Sequence, residues 1–544
     1  GWQHSIKLAS PCVAMSAGRR WKRRAKDLPI QQRGAIDCEN TQKVCIVGAG
    51  IAAFVAARRL QQHGFAVKVF GYCGNKNLGG RLFSEEWDLQ AHKMDGAKKI
   101  LEGAQSEAST IRFDTGCQWV TADDPRFLSE VERWQEAGVI EQWPDARIGS
   151  WTSKGVFERI PPADLPALFC GAGGMARIVE HLAHKVGDQN IEYCIAQKFH
   201  PSQDGRWVLE YEEPLDSNHL AFVGGNLPQE SRTLRSDEAF DYVVLAHGLA
   251  TNQPRMVSFE EAEAQRVPEC LKRNVRFQTL QVLTLVFDTI LPLPFDICRV
   301  EDGFEVAIVV HSSAKPGFAA GSGRDVWTIF SSAEFARELS LPKQKGEAMK
   351  QMEVAFFKAF QLQKYRSNLC SNRGTPFSLL WPHGRATTRP PAPVDAVFHP
   401  EARVGVCSDY CAGSPCVQSA VVSALQLADA VLAHCSGAPL PSRVLTDLDV
   451  EWEEMGPEPP WVVAAFPGLP PPRLAARSEC PVSVARYCCH THDWLGSHPG
   501  IVFGRTAALK PWDRAAARGV QDNEGHWSRR SHFRRGATSS RMQR

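Results

Sequence analysis

The chain of 544 residues has no internal repeat and no apolar run long enough to cross a bilayer. Its most apolar long stretch, Ser419 to Ala433, is short for a span and carries Gln426 and Asp429, so it reads as a buried helix. Among the 17 cysteines there is no Cys-x-x-Cys pair, and their number is odd. This argues against a regular disulfide frame and points to reduced thiols in an intracellular setting. Cys407, Cys411 and Cys416 gather near one turn but lack a fourth ligand, so no metal site is expected. The middle of the chain also lacks a basic surface. Residues 1–34 and 474–544 each carry seven net positive charges, which leaves the centre at −12 while the whole stands at +2. An acidic body between basic ends has no nucleic-acid footprint. Residues 1–40, with Arg19-Arg20-Trp21-Lys22-Arg23-Arg24, are expected to be a plastid or mitochondrial leader or a disordered arm. Without such targeting the expected place is the cytoplasm.

What the chain does have is an ordinary globular balance, 43% hydrophobic and 22% charged, and length enough to bury a sizeable core. The organising stretch is Lys43 to Phe70. Val44-Cys45-Ile46-Val47 is a short apolar run suited to a buried parallel strand. The turn Gly48-Ala49-Gly50-Ile51-Ala52-Ala53 follows, then helix formers from Phe54 to His63, a stop at Gly64, and a second strand over Ala66 to Phe70. This is a βαβ unit with a Gly-x-Gly-x-x-Ala fingerprint, which predicts a dinucleotide site. Gly48 permits the bend, Gly50 lets backbone approach a diphosphate, and the helix N-terminus past Gly50 offers N–H groups to it. One part is missing. The acid that holds a ribose hydroxyl should end the second strand, and Gly71 stands there.

Further along, Leu78-Gly79-Gly80-Arg81 suits a loop pressed against a phosphate or an aromatic ring. Residues 85–110 look like a surface insertion. Phe113 to Thr121 is strand-like, and Asp124-Pro125 opens an amphipathic helix over Phe127 to Ala137. The glycines at 171, 173 and 174 are expected to be a flexible entry to the helix Ala176 to Lys185, because no strand is evident before them. Strands are expected at 191–196, 207–211, 240–246, 276–288, 304–311 and 326–332, and a helix at 343–360. Arg403 to Asp409 is a strand ending in an acid. Ser414-Pro415 should cap a helix from Cys416 to Ala433. Beyond Cys435 the pattern fails, and residues 436–544, proline-dense and then basic, are expected to be a disordered tail.

With these pieces in order, residues 41–435 resemble the renalase-like branch of FAD-dependent amine oxidoreductases. The blocks that carry the likeness are VGAGIAAFVAARRL from Val47, LGGRL from Leu78, FDTGCQWVTADDPRF from Phe113 and RVGVCSDYCAGSPCVQSAVVSALQLADAVL from Arg403. The resemblance implies an α/β fold: a Rossmann-like FAD-binding domain with an interleaved α+β substrate domain, an antiparallel sheet plus helices. The FAD-binding parts would be about 41–120, 171–250 and 375–435, and the substrate-side parts about 121–170 and 251–374. It further implies FAD as cofactor, touched by Gly48, Gly50, Ile51, Ala52, Gly71, Gly79, Gly80, Arg81, Asp409, Val417 and Gln418. Gln118, Thr121, Trp381 and Arg385 would line a substrate pocket. Three positions depart from the family: Gly71 for Glu, Ser408 for Gly, and Gln418 where an acid is common.

The function expected is hydride transfer from a small amine or reduced nicotinamide-type donor to flavin, with dioxygen or another acceptor reoxidising it. No motif marks a catalytic acid or base, and His247, at a strand end, is a pocket-lining candidate only. The alternative is a non-catalytic nucleotide-binding or interaction protein on a degenerate flavoprotein fold, which the loss at Gly71 motivates. A small-molecule substrate is the expected partner, with no nucleic acid and no membrane span.

Overall fold

The computed structural model describes residues 41–71, 78–88, 110–214, 231–247, 257–318, 323–340, 344–370 and 377–455. All lie in the compact unit Gly1–Ala476; the second unit, Arg477–Arg544, holds none of them. The basic leader and residues 456–544 therefore lie outside the described residues, as does most of the insertion, 89–109.

The apolar run Lys43–Val47 becomes a fully interior strand, paired in parallel with Ala66–Phe70 on one side and Tyr242–Leu245 on the other. Val404–Val406 continues the parallel sheet beyond Tyr242–Leu245, and Ile191–Glu192 extends it beyond Ala66–Phe70. Ala396–His399 and Val444–Leu445 complete seven strands. Strands covered on both faces need apolar residues throughout, which is what VCIV and YVVL supply. On one face the helices Ile51–Gln62, Ala176–Val186 and Val417–Cys435 pack through Phe54, Ile178, Leu182, Val421 and Leu427. On the other lie the helix Ala262–Asn274 and a four-stranded sheet built around Ile195–Pro201 and Trp207–Pro214.

A second seven-stranded sheet stands apart from the first. Its order is Phe377–Ala386, Phe277–Phe287, Asp325–Phe330, Ile308–His311, Ile297–Val300, Ile148–Trp151, Phe157–Arg159. All pairings are antiparallel except Ile297–Val300 with Ile148–Trp151. The helix Lys345–Ala359 covers one face through Met352, Phe356 and Phe357. The fold is thus α/β, a Rossmann-like parallel sheet interleaved with an antiparallel sheet and helices.

Several details differ from the sequence reading. Phe377–Ala386 belongs to the antiparallel sheet, although its position in the chain groups it with the FAD-binding part. The fold does not stop at Cys435. Leu445, Leu448 and Trp452 are buried in the second core, and Trp452 N donates to Asn274 Oδ1 at 3.2 Å, so the fold includes residues well past Cys435. A strand, Phe169–Gly171, does precede the glycines at 171–174, and pairs with Ile140–Gln142. The last helix is 19 residues, Val417–Cys435, long and apolar enough to cross a membrane, but it packs against Ile51–Gln62 inside the core. Its cap is Cys416, not Ser414; Ser414 instead gives its carbonyl to Ser419 Oγ. All the described cysteines are free thiols.

The second sheet holds a charged cluster. His311 Nε2 meets Asp325 Oδ1 at 2.5 Å, and its ring stacks on Trp327 at 4.2 Å and 3°. Its other nitrogen lies 3.6 Å from Asp296, which Arg147 holds through three hydrogen bonds. Burial works against a charged His311, but the two carboxylates outweigh it and its pKa is raised. A raised folded-state pKa gives stability that is complete below the ordinary histidine value and is lost as pH rises through the folded one. We expect the urea midpoint to fall from pH 6 to pH 9, and His311→Asn to remove most of that fall; urea titrations at both pH values check it.

Candidate functional site

The site forms where the parallel strands end. Gly48 sits at φ +136°, and its N–H donates to Phe70 O at 2.8 Å. A Cβ there would stand 2.5 Å from Ala246 O, so only glycine lets the first strand turn this close to the Tyr242–Leu245 strand. Gly50, two residues on, has nothing within 4 Å of a built Cβ and opens the helix Ile51–Gln62. No side chain caps that helix, so the N–H groups of Ile51, Ala52 and Ala53 are left at its start. The side chains of Ile51 and Ala52 are buried in the core, and what they offer is backbone.

The second glycine loop lies on the first. Gly79 N donates to Ala49 O at 3.1 Å and Gly79 bridges Gly50. Gly80, at φ +55°, faces open space as Gly50 does. Gly116 pins this loop from behind, since its built Cβ would fall 2.1 Å from Arg81 O. Arg81 then reaches across to Asp409, with NH1 to Oδ2 at 2.7 Å and NH2 to Oδ1 at 2.6 Å. Asp409 is 5% exposed and also accepts from Ser408 Oγ at 3.0 Å. Burial works against the Arg81 charge, but Asp409 more than offsets it, and the guanidinium pKa is raised. The fork expected to face a phosphate is turned to the carboxylate instead.

Gln418 does not face this opening. Its Oε1 accepts from the N–H groups of Asp123 and Asp124 at 2.9 and 3.1 Å, so it ties the last helix to the start of Pro125–Glu136. Val417, its neighbour, is the first residue of that last helix and is buried. Gly71 has no room for a side chain: a Cβ would meet Ala49 Cβ at 2.5 Å.

Of the expected pocket residues, Gln118 is 2% exposed and fully engaged. Its Nε2 donates to Asp114 O and Gly116 O, and its Oε1 accepts from Lys315 Nζ at 2.5 Å. Lys315, also buried, binds Asp114 Oδ2 at 2.8 Å, while Asp114 Oδ1 accepts from Ser84 Oγ and from Met175 N. Gln118 is therefore a brace under the site, not a lining residue. Thr121 is half-buried just past the Val120–Phe169 bridge. Trp381 is half-buried and its Nε1 donates to Thr115 O at 2.8 Å, which joins the antiparallel sheet to the loop behind Arg81. Arg385 is buried opposite Gln278 on the same strand.

Three groups escaped the sequence reading. His383 lies between Trp381 and Arg385, where a bulge interrupts the pairing with Phe277–Phe287. Its ring packs edge-on to Phe277 at 5.0 Å, and Phe277 in turn packs on Tyr410 beside Asp409. Burial, then Arg81, pulls the His383 pKa down to about 4, so the ring is neutral at physiological pH. Lys315 carried no local signal at all. Glu85, four residues past Arg81, sits opposite Phe113 and burial lifts its carboxyl to about 7. Cys117, by contrast, is pushed by burial up to about 12, so its thiol is neutral and no thiolate nucleophile is present there. His247 is half-buried with its Nδ1 unpartnered, and burial lowers its pKa to about 4.

Comparison with known proteins agrees with the crossover. A family model described as an NAD(P)-binding Rossmann-like domain matches residues 46–129. A curated relative, lysine-specific histone demethylase 1 homolog 3 of Arabidopsis thaliana, is 31% identical over 86 residues, 15% of this chain and 5% of its own length. The chain thus spans a small fraction of that relative. Among solved structures, cyclohexylamine oxidase from Brevibacterium oxydans is similar at 12% identity and TM-score 0.44, over 73% of this chain and 100% of that one. A reduced UDP-galactopyranose mutase is similar at 12% identity and TM-score 0.48, over 73% and 94%.

The two turn glycines should behave differently. Gly48→Ala combines a positive φ with a backbone clash and should cost about 2 kcal/mol or more in stability. Gly50→Ala should leave the thermal midpoint nearly unchanged, yet block a ligand from the helix start; differential scanning fluorimetry with and without ligand separates the two. Asp409→Ala strands Arg81 and should cost about 3 kcal/mol, with Arg81→Met/Asp409→Leu costing less, as read by urea denaturation.

Proposed function

We propose that this chain is an FAD-dependent oxidoreductase of the amine oxidase type, renalase-like in its branch. The observation that carries the reading is the uncapped helix start after Gly50, with Gly50 and Gly80 both uncrowded on two bridged loops. A built Cβ at either meets nothing, which is the cradle a diphosphate and a flat ring require. The fit holds at the diphosphate end and fails at the ribose end, where Gly71 offers no acid.

When bound, the flavin supplies a hydride acceptor for the donor's carbon and passes the electrons to dioxygen or another acceptor. The chain's own residues do the rest. N–H groups of Ile51, Ala52 and Ala53 bind the diphosphate, aided by the positive end of the helix. Arg81 and Asp409 neutralise each other and fix the edge of the cleft, so neither adds a net charge there. The helix start at Val417 offers a second positive dipole end, suited to negative charge on the pyrimidine ring. On this reading the neutral His383 ring, packed on Phe277 and near Arg81, would accept or donate one hydrogen bond to a small amine or nicotinamide-type donor.

The alternative, a non-catalytic protein on the same fold, is favoured by one observation, the blocked Gly71. A visible spectrum decides between them. The full chain, mixed with FAD and desalted, should retain a yellow chromophore that a donor bleaches without air and that air restores with peroxide formed. A protein that stays colourless at millimolar FAD would overturn the oxidoreductase reading.

A further inference from the structure

The end of the second strand is where a dinucleotide's adenosine ribose ordinarily finds its acid. Here the place is closed as well as unlined. A Cβ at Gly71 would lie 2.5 Å from Ala49 Cβ, 3.0 Å from Ala49 N and 3.0 Å from Gly48 C. The severe contact is Ala49 Cβ, which no side-chain rotation moves; the two backbone atoms stand at a tight but tolerable distance. Gly71 is also tied, its N–H donating to Glu192 O at 3.0 Å.

Among the described residues, the two carboxylates beside this strand are already paired. The residues after Gly71 are Tyr72, Cys73, Gly74, Asn75, Lys76 and Asn77, with no acid among them. Glu192, placed beside Phe70 by the sheet register, is turned to Lys68 at 2.9 Å. Glu238 is bound to Lys43 at 2.8 Å. The uncrowded glycines Gly50 and Gly80 lie on two bridged loops, the second of which carries Arg81 with its partner Asp409.

We infer that the site grips its cofactor by the flavin and phosphate half alone, so that a flavin mononucleotide binds nearly as well as the dinucleotide. This rests on the flavin reading above. A ribose acid bonded to a hydroxyl is the main contact by which this strand end rewards an adenosine, and the packing of Ala49 over Gly71 removes both the acid and its space.

The test is calorimetric titration of the full flavin-free chain with FAD, FMN and ADP. We expect FAD and FMN dissociation constants within about tenfold, a difference of no more than about 1.4 kcal/mol, with ADP, held by its diphosphate alone, binding more weakly than either. FAD binding more than a hundredfold tighter than FMN would overturn the inference and leave the flavoprotein reading intact. Binding of neither flavin would overturn the reading itself. A second measurement isolates the steric cause. The paired substitution Ala49→Gly with Gly71→Glu should restore a preference for FAD of tenfold or more. Gly71→Glu alone should lower the thermal midpoint without restoring it. A folded Gly71→Glu single variant that prefers FAD on its own would overturn the role of Ala49.

Discussion

The structure depends on how closely backbone passes backbone at the ends of the parallel strands. Gly48 turns with its Cα against Ala246 O, Gly71 lies beneath Ala49, and Gly116 lies against Arg81 O. Each contact excludes a single methyl group, and together they draw the first turn, the second glycine loop and the loop behind it into one layer. Interiors packed at crystal-like density tolerate no slack at such points. Two glycines in this layer, Gly50 and Gly80, are left uncrowded, and there the backbone can be approached.

Charges are placed on that frame in compensated pairs. Arg81 with Asp409, and Lys315 with Asp114, join segments 328 and 201 residues apart. An unpaired charge at either buried position would be costly, so each pair fixes the relative position of its two segments. The second pair also fixes Gln118, which explains why a side chain of pocket-like sequence context ends as a brace. The neutral state of His383 is a consequence of burial first and of the nearby Arg81 guanidinium second, and its ring takes no proton at physiological pH.

Much of the scaffold was legible from local pattern. The crossover from Lys43 to Phe70, the strand at Tyr242–Leu245 and the helix from Ala176 obey short-range rules of periodicity and capping. The errors fell where a partner far along the chain decides the outcome. Residues 436–455 lack a sustained period, yet Leu445, Leu448 and Trp452 find a core made by residues nearly two hundred positions earlier. The strand Phe377–Ala386 joined the antiparallel sheet because Phe277–Phe287 was there to pair with it. Gln418 matched a cofactor contact only through the family resemblance, and it is a tie because its Oε1 accepts from the N–H groups of Asp123 and Asp124.

The sequence alone determined the glycine turn, the parallel crossover and the missing acid after Phe70, because φ preference, side-chain size and alternation act within a few residues. Tertiary structure alone decided that Arg81 faces Asp409, that Lys315 and Gln118 lock together, and that His383 is neutral. It also decided that Ala49 closes the space over Gly71. Those outcomes depend on which distant segments meet and how little water remains between them, and no local window of the chain carries that information.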